Sequence, residues 1–422
     1  MSFGPLVKLG IMVLISLSVA LAQPVLGFVM FFVLLWISEI LPVGVTGLLI
    51  PVAASMLGFL PSEKAFQSFG NDIIFLFIGV FFLTKAFAES GLSSRLAELV
   101  LNIPPKSSTA ITFFLLTKTF FLSMFISNTA SVALMLPICL GIAEKFKNEN
   151  HKKRLILGLS FAATFGGIST PIGTPPNALA VAFLQSKSIQ INFFDWVFVG
   201  FPFALIMFLI SLAILHLYFP AKTEKLNIDM GTKSCSLCYR EKLVIFSFGL
   251  ALILWLLPSV SSLEISLGSA AIIAATMLFV FGALSWDKAR QIDWGTILLF
   301  GGGLSLGAVI ENSELTKTLQ IDTGVKFLND FLVAAFSIGL SEVSSNTASA
   351  AALIPLFCQT HANLAFLVAF STSFGFMLPI STPANALVYG TGLISIKSML
   401  KVGLLVDLLG AILVTLYIGF IS

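Results

Sequence analysis

A Ser-Asn-Thr tripeptide occurs twice in this chain, each time between two apolar stretches. The first copy occupies residues 127–129, and the second occupies residues 345–347, which is 218 residues later. Hydroxyl groups, amide N–H groups and the free backbone N–H groups at a helix start suit an anion such as a carboxylate. The hydroxyl and amide oxygens are hard neutral ligands, which suit Na⁺ better than a soft transition metal. The two tripeptides are therefore candidates for an anion site with cation sites beside it.

Each tripeptide interrupts an apolar region without leaving a full membrane span on either side. The arm that follows the first one has about 15 residues, whereas a helix needs roughly 20 to cross the hydrocarbon. Two short arms around a polar tip predict a re-entrant helical hairpin, at residues 109–143 and again at residues 326–357. Irregular backbone persists at membrane depth only when it is buried in protein or lines a water-filled cavity. We therefore expect the two tips to meet inside the protein and to line one site.

A second pair of polar interruptions follows the hairpins. Residues 171–179 and residues 379–387 are identical at seven of nine positions, and each segment contains a Thr-Pro-x-Asn sequence. Proline lacks a backbone donor and stops a helix in the middle of the membrane. The sequence therefore predicts two broken helices, over residues 155–184 and residues 364–394.

The remainder of the chain consists mostly of apolar runs. Of its 422 residues, 57% are hydrophobic and 10% are charged, and the mean hydropathy is +1.03. This composition predicts an all-α polytopic membrane protein in the lipid bilayer and excludes a soluble enzyme. The net charge of +3 is too balanced to indicate a nucleic-acid partner. The first apolar run, residues 5–22, is long for a signal peptide and is predicted to be the first span.

The landmarks recur in one order, which indicates an internal duplication. Gly79 precedes the first hairpin, and Gly301 occupies the matching position 222 residues later, before the second. The N-terminal half covers residues 1–219 and the C-terminal half covers residues 243–422. A polar linker, residues 220–242, joins them.

The distribution of Lys and Arg predicts the orientation. If the first hairpin enters from the cytoplasm, 18 of the 23 Lys and Arg residues fall in inside segments and four fall outside. The positive-inside rule favours this arrangement, with a cytoplasmic N-terminus and linker and an outside C-terminus. It contains 11 transmembrane helices, two of them broken, and two re-entrant hairpins. The spans holding Gly79 and Gly301 then run in opposite directions, and inverted repeats with broken helices are typical of secondary transporters.

An intramembrane enzyme would need a nucleophile with a base, or a set of metal ligands. The three histidines, His151, His216 and His361, are far apart in sequence, and there is no HExxH motif. The one CxxC motif, Cys235 to Cys238, lacks the second pair that a zinc site needs. We therefore expect a transporter and not an enzyme.

Among the charged residues of the predicted hairpins, Lys118 and Glu342 lie nearest to the tips. Lys118 precedes the first tip by nine residues, and we expect its side chain to reach back towards the inner face. Glu342, next to Ser341, is interpreted as a structural or hydrogen-bonding group. The three glycines from Gly301 to Gly303 are expected to allow close helix packing, because no GxxxxGK sequence makes them a nucleotide loop.

These motifs resemble the divalent anion/Na⁺ symporters, also called the DASS or INDY family. The two Ser-Asn-Thr tips, the two Thr-Pro-x-Asn breaks and residues 293–303, which read DWGTILLFGGG, carry the resemblance over nearly the whole chain. It implies a homodimer whose protomers each have a scaffold domain and a mobile domain that carries the substrate by an elevator movement. We expect a multi-pass protein of a bacterial inner (cytoplasmic) membrane.

The resemblance also implies roles for individual residues. The substrate carboxylates would be contacted by Ser127, Asn128, Thr129, Thr174, Ser345, Asn346, Thr347, Thr382 and Pro383. One Na⁺ would bind to Ser123, Ser127, Asn128 and the carbonyl group of Gly173. The other Na⁺ would bind to Ser341, Ser344, Asn346 and the carbonyl group of Ser381. Ser381 and Ala384 depart from the family pattern, in which a small apolar residue and a second proline are more usual.

Two equivalent tips can each hold one carboxylate group. The expected function is therefore the Na⁺-coupled import of C4-dicarboxylates such as succinate, malate or fumarate. Three alternatives stay open: a Na⁺-independent exchanger of dicarboxylates, an exchanger of tricarboxylates, and a sulfate transporter of the same family. Sulfate would need only one of the two tips.

Overall fold

A computed structural model describes residues 4–92, 107–226, 237–260, 263, 265–313, 323–358 and 362–421. About 78% of the chain is helical, in agreement with the all-α prediction. His361 and Cys235, which the sequence analysis considered, lie outside the described residues.

The described part of the first half contains α1 (Gly4–Ala20), α2 (Pro24–Ser38), α3 (Val43–Met56), α4 (Ser62–Gln67), α5 (Asp72–Ser90), α6 (Ser108–Ser123), α7 (Asn128–Ala143), α8 (Glu149–Ile168), α9 (Pro175–Ser186) and α10 (Phe193–Tyr218). The described part of the second half contains α11 (Tyr239–Val260), α12 (Leu267–Val280), α13 (Trp286–Ala289), α14 (Trp294–Glu311), α15 (Lys326–Val343), α16 (Asn346–Phe357), α17 (Asn363–Ser373), α18 (Pro383–Gly390) and α19 (Ile396–Ile421).

Five helical segments of the described chain are long and apolar enough to cross a membrane. They are the continuous stretch Ser62–Ser90, which includes α4 and α5, and the helices α10, α11, α14 and α19. Shorter apolar helices include α1, α2 and α3, of 17, 15 and 14 residues. The apolar runs predicted as the first three spans therefore form helices that are shorter than the runs themselves.

Helices of one half pack against helices of the other. The pairs α3 with α14 and α5 with α12 make the most extensive contacts. Glycine permits the close approach: a Cβ atom on Gly302 would collide with Gly47, and one on Gly79 would lie 2.6 Å from the Ala271 carbonyl carbon. The glycine run of α14 therefore serves helix packing, as predicted.

The hairpin of each half packs against the broken helix of the other half. Helix α9, after the first break, packs against α16 of the second hairpin, and α18, after the second break, packs against α7 of the first. Aromatic contacts support this arrangement: the ring of Phe161 in α8 is 4.7 Å from that of Phe376, measured between centroids. The four polar interruptions thus belong to one packed body.

Candidate functional site

The first tip is a four-residue turn between α6 and α7. Ser127 caps α7, because its hydroxyl oxygen accepts a hydrogen bond of 3.3 Å from the Ala130 N–H group. The buried Ser123 at the end of α6 donates to the side-chain oxygen of Asn128 at 2.9 Å. This bond joins the two arms of the hairpin directly below the tip. Asn128 and Thr129 are half-buried and Ser127 is exposed.

The second tip repeats this arrangement between α15 and α16. Ser345 caps α16 and accepts from the Ala348 N–H group at 3.3 Å. Ser341 donates to the side-chain oxygen of Asn346 at 2.7 Å. The hydroxyl oxygen of Ser344 is buried and has no hydrogen-bond partner among the described residues, so a polar atom at this tip is free to contact a ligand.

The first break separates α8 from α9, and one buried asparagine braces it. The Asn177 amide group donates to the carbonyl oxygens of Gly167, Ile168 and Thr170, at 3.0, 3.2 and 2.7 Å. These carbonyls lie where α8 ends and have lost their helical partners. Thr174, which is also buried, precedes Pro175 at the start of α9.

The second break, between α17 and α18, is braced in the same way but is longer. The Asn385 amide group donates to the carbonyl oxygens of Gly375 and Leu378, at 2.7 and 3.1 Å. Helix α17 ends at Ser373, and α18 begins at Pro383. The sequence predicts that the first part of the broken helix 364–394 extends to residue 380, and this prediction is wrong, because the helix ends at Ser373. The cause is local: Gly375 has a φ angle of +146°, a conformation that L side chains rarely adopt.

The first tip lies against the first break. The Thr170 hydroxyl group donates to the Met124 carbonyl at 2.5 Å. A Cβ atom on Gly167 would collide with the side-chain oxygen of Asn128 and would lie 3.1 Å from the Gly173 carbonyl oxygen. Oxygens of Ser123, Asn128 and Gly173, three of the four predicted ligands of the first Na⁺, are therefore neighbours.

The second tip lies against the second break through more hydrogen bonds. The Asn346 amide group donates to the Ser373 carbonyl at 3.1 Å. Ser381 donates to the Glu342 carbonyl at 2.9 Å. A Cβ atom on Gly375 would lie 3.3 Å from Ser381 Cβ and 3.6 Å from Asn346 Oδ1. Ser341, Asn346 and Ser381 are therefore grouped as their counterparts are in the first half.

Two buried carboxyl groups lie behind the second tip. Glu342 accepts from the Met377 and Leu378 N–H groups at 2.8 and 3.2 Å, and from the Ser381 hydroxyl group at 2.5 Å. Asp407 of α19 accepts a long hydrogen bond of 3.4 Å from the Phe376 N–H group. The sequence interpretation of Glu342 as a hydrogen-bonding group agrees with these contacts, whereas Asp407 was not singled out because it lies within a long apolar run.

Four helices start at the tips and breaks: α7, α9, α16 and α18. Their first turns carry Thr129, Thr347 and Pro383, and Thr174 and Thr382 occupy the N-cap positions of α9 and α18. A helix start presents free N–H groups and the positive end of the helix dipole. None of the nine predicted substrate contacts is a charged residue, so the positive potential at these positions comes from the helix starts.

The sequence interpretation did not assign functional roles to Asn177 and Asn385. Both belong to the repeated nine-residue segment, at the same offset of 208 residues as the prolines. The sequence signal for them was an asparagine at the same position of two apolar segments. A buried amide group must find hydrogen-bond partners, so each asparagine could have been predicted to bond to nearby backbone. Gly167 could not be identified from the sequence, because its importance comes from the close approach of Asn128, which belongs to another helix.

Repeated pairs of broken helices and hairpins with polar tips, inside an apolar helical body, are typical of membrane transporters. Residues 33–366 match the family described as citrate transporter, CitMHS. The chain belongs to this family, and the resemblance to the divalent anion/Na⁺ symporters is thereby confirmed. Its members and relatives are transporters and not enzymes.

Curated relatives cover most of the chain. An uncharacterized transporter of Haemophilus influenzae is 33% identical over 418 residues, which are 92% of this chain and 89% of that protein. The sodium-dependent dicarboxylate transporter SdcS of Staphylococcus saprophyticus is 33% identical over 432 residues, covering 92% and 83% of the two chains. SdcS of Staphylococcus aureus strain USA300 is 32% identical over 438 residues, with the same coverage.

Proposed function

We propose that this protein couples the import of C4-dicarboxylates, such as succinate, malate or fumarate, to Na⁺. The observation that carries the proposal is the duplicated pairing of Ser123 with Asn128 and of Ser341 with Asn346. Each pair lies beside a break whose carbonyl groups are held in place by an asparagine. Relatives named sodium-dependent dicarboxylate transporters support the choice of ion and substrate.

Each tip has the parts for one carboxylate and one cation. The asparagine side chain has an oxygen that can face Na⁺ and an amide N–H that can donate to a carboxylate. Na⁺ at Ser123, Ser127, Asn128 and the Gly173 carbonyl would place a positive charge next to the helix starts. Na⁺ at Ser341, Ser344, Asn346 and the Ser381 carbonyl would do the same in the second half. The bound cations then offset the negative charge of the substrate, which explains the coupling.

We further propose an elevator mechanism in a homodimer of a bacterial inner membrane. The mobile domain comprises the two hairpins and the two broken helices, which pack on each other across the halves. The remaining helices form the scaffold, including the pairs α3 with α14 and α5 with α12. Two repeats related by a two-fold axis produce such reciprocal contacts, in which the hairpin of each half packs against the broken helix of the other. These contacts support the inverted topology of 11 spans inferred from the sequence.

The family description favours citrate as a second candidate substrate. A tricarboxylate can engage both tips through two of its carboxylate groups and leave the third free. A sodium-independent exchanger of either substrate is compatible with the same residues, because the asparagine amide groups bind the anion in both cases. Competition between substrates and the dependence on Na⁺ separate these possibilities.

The test is uptake of radiolabelled succinate into proteoliposomes that contain the purified protein. We expect uptake with an inward Na⁺ gradient and almost none when choline replaces Na⁺. Unlabelled malate and fumarate should compete, and sulfate should not. Uptake that is unchanged when choline replaces Na⁺, but is stimulated by internal dicarboxylate, would favour the exchanger. Stronger competition by citrate than by malate would favour the tricarboxylate.

A further inference from the structure

A groove beside the start of the first hairpin is not used by the proposed transport site. It has a volume of about 590 Å³ and is lined by Ser107, Thr109, Ala110, Phe113, Phe114, Thr117 and Thr223. From Ser107 to Thr117 it follows α6 over about 15 Å, at 1.5 Å per residue. One end carries three hydroxyl groups, and two aromatic rings lie further along it. Phe113 is 50% exposed, so this part of the groove faces the surroundings.

The hydroxyl end of the groove is held together by the segment 220–226. Ser107 and Lys225 form an antiparallel bridge, and the Ser108 N–H group donates to the Glu224 carbonyl at 2.9 Å. The hydroxyl oxygens of Thr109 and Thr223 are 3.2 Å apart. The groove therefore has a fixed polar end, formed jointly by α6 and this segment.

Three lysines lie close to this groove, two of them at its polar end. Lys225 lies opposite Ser107 in the bridge, so their side chains share a face, and Lys222 is next to Thr223. Lys118 reaches back along α6, with its Nζ atom 5.3 Å from the centroid of the Phe114 ring. All three lysines are exposed, and within the described ranges none is in an ion pair.

The one acidic side chain of the segment 220–226 does not neutralise these lysines. The Glu224 carboxylate accepts hydrogen bonds from the Lys147 and Asn148 N–H groups, at 3.0 and 2.9 Å. It is therefore engaged with the start of α8. Two lysines therefore lie at the polar end of the groove, and a third lies beside its aromatic rings.

We propose that this groove binds a phospholipid with an anionic headgroup. The phosphate group contacts the hydroxyl groups and the lysines, and one acyl chain lies along Phe113 and Phe114. Basic pockets at the inner face of membrane proteins attract anionic headgroups in this way. A soluble anion would leave the aromatic part of the groove without a partner. The site is separate from the Ser-Asn-Thr tips and does not depend on which anion they carry.

Lipid retention on the purified, full-length protein tests this proposal. The protein is incubated with mixed micelles that contain phosphatidylglycerol or phosphatidylcholine of the same acyl composition, and bound lipid is counted by native mass spectrometry. We expect preferential retention of phosphatidylglycerol. The double variant Lys222→Gln/Lys225→Gln should reduce that retention on the order of tenfold, since each lysine near an anionic surface contributes several-fold.

Two further variants separate the groove from general surface charge. Lys397→Gln/Lys401→Gln removes two exposed lysines at the start of α19 and should leave retention unchanged. Ala110→Trp fills the groove without changing any charge and should reduce retention as strongly as the Lys222/Lys225 pair.

Four outcomes would overturn the proposal. They are equal retention of both lipids by the wild-type protein, equal loss in the two lysine pairs, full retention by Ala110→Trp, and displacement of the lipid by millimolar inorganic phosphate. The comparison of the two lipids on the wild-type protein tests the proposal even where a variant fails to fold. Because lipid binding is measured without transport, failure of the proposed dicarboxylate function leaves the result interpretable.

Discussion

Ser341 Oγ lies 2.7 Å from Asn346 Oδ1, and this short hydrogen bond ties the end of α15 to the start of α16 across the second tip. The equivalent bond at the first tip, between Ser123 and Asn128, is 2.9 Å long. In both halves the partners are five residues apart, and both serines are fully buried. Oxygens this close can contact a single small cation, because Na⁺ accepts several hard oxygen ligands at once.

We predict that Ser123→Ala and Ser341→Ala weaken the response to Na⁺. Each change removes one oxygen ligand and should raise the Na⁺ concentration for half-maximal uptake about fivefold or more, the equivalent of about 1 kcal/mol for a lost polar contact. Substrate affinity measured at saturating Na⁺ should change less. Ser160→Ala is the matched control, because that buried serine bonds only to its own helix. Unaltered Na⁺ curves for both tip variants would remove these serines from the cation sites.

The asparagines of the tips are expected to be indispensable for transport. Asn128→Asp and Asn346→Asp keep the shape of the side chain, but they remove the amide donor and put a negative charge next to the anion. Like charges at this distance should lower affinity several-fold to hundreds-fold, on the order of 1–3 kcal/mol. Asn128→Ala and Asn346→Ala lose the oxygen as well. The measurement is uptake at equal surface expression and sub-saturating substrate, where normal activity of both Asp variants would place the site elsewhere.

Asn177 and Asn385 should contribute to stability as well as to transport. Replacing either with Ala leaves buried carbonyl groups at the break without their donor, at a cost of about 1–3 kcal/mol. We expect a lower thermal unfolding temperature in detergent for both variants. Asn312→Ala removes a long hydrogen bond of 3.5 Å at an exposed position and is the control. Unfolding temperatures equal to that of the control would mean that water replaces the asparagine without loss.

The sequence alone was sufficient for the class of protein, because spans, short arms and repeated motifs follow from hydropathy and spacing. The duplicated tripeptides also singled out Asn128 and Asn346, and the family resemblance added Ser123 and Ser341. Their roles in binding stay predictions. The packing of α9 on α16 and of α18 on α7 was not predictable, because it depends on tertiary contacts between segments distant in the chain.

The different lengths of the two breaks also could not be predicted from the sequence pattern. Residues 171–179 and 379–387 look nearly equivalent, yet nine residues lie between α17 and α18 and only six lie between α8 and α9. The added length exposes backbone N–H groups that Glu342 accepts from. The sequence shows that Glu342 lies in an apolar arm of the second hairpin. Its partners could not be predicted, because they lie in the break between α17 and α18, where the sequence pattern predicts a helix.

An elevator movement requires that the second hairpin leave its neighbour in the scaffold. A Cβ atom on Gly303 of α14 would lie 3.1 Å from the Cβ atom of Ala351 in α16, which is slightly closer than the usual separation in a disulfide bond. We predict that oxidation of Gly303→Cys/Ala351→Cys stops uptake and that reduction restores it. The single variants are the controls. Uptake that continues after the cross-link has formed would show that α14 and α16 move together.

The contact between Gly167 and Asn128 allows a test that removes no polar group from the site. A methyl group on Gly167 would collide with Asn128 Oδ1 and press on the Gly173 carbonyl, which is 3.1 Å away. Because α8 is fully buried there, the asparagine must move, and its oxygen then leaves the position next to Ser123. We predict that Gly167→Ala lowers uptake at least tenfold and raises the Na⁺ requirement, by roughly 1 kcal/mol or more, as expected for overpacking.

Gly141→Ala is the matched control, because a Cβ atom there meets nothing within 4 Å. Both substitutions replace a helical glycine with alanine, which by itself favours the helix by about 1 kcal/mol. Equal thermal stability with unequal uptake would therefore assign the loss in Gly167→Ala to the displaced Asn128 side chain. Wild-type uptake and Na⁺ dependence in Gly167→Ala would show that the position of Asn128 against α8 does not matter for transport.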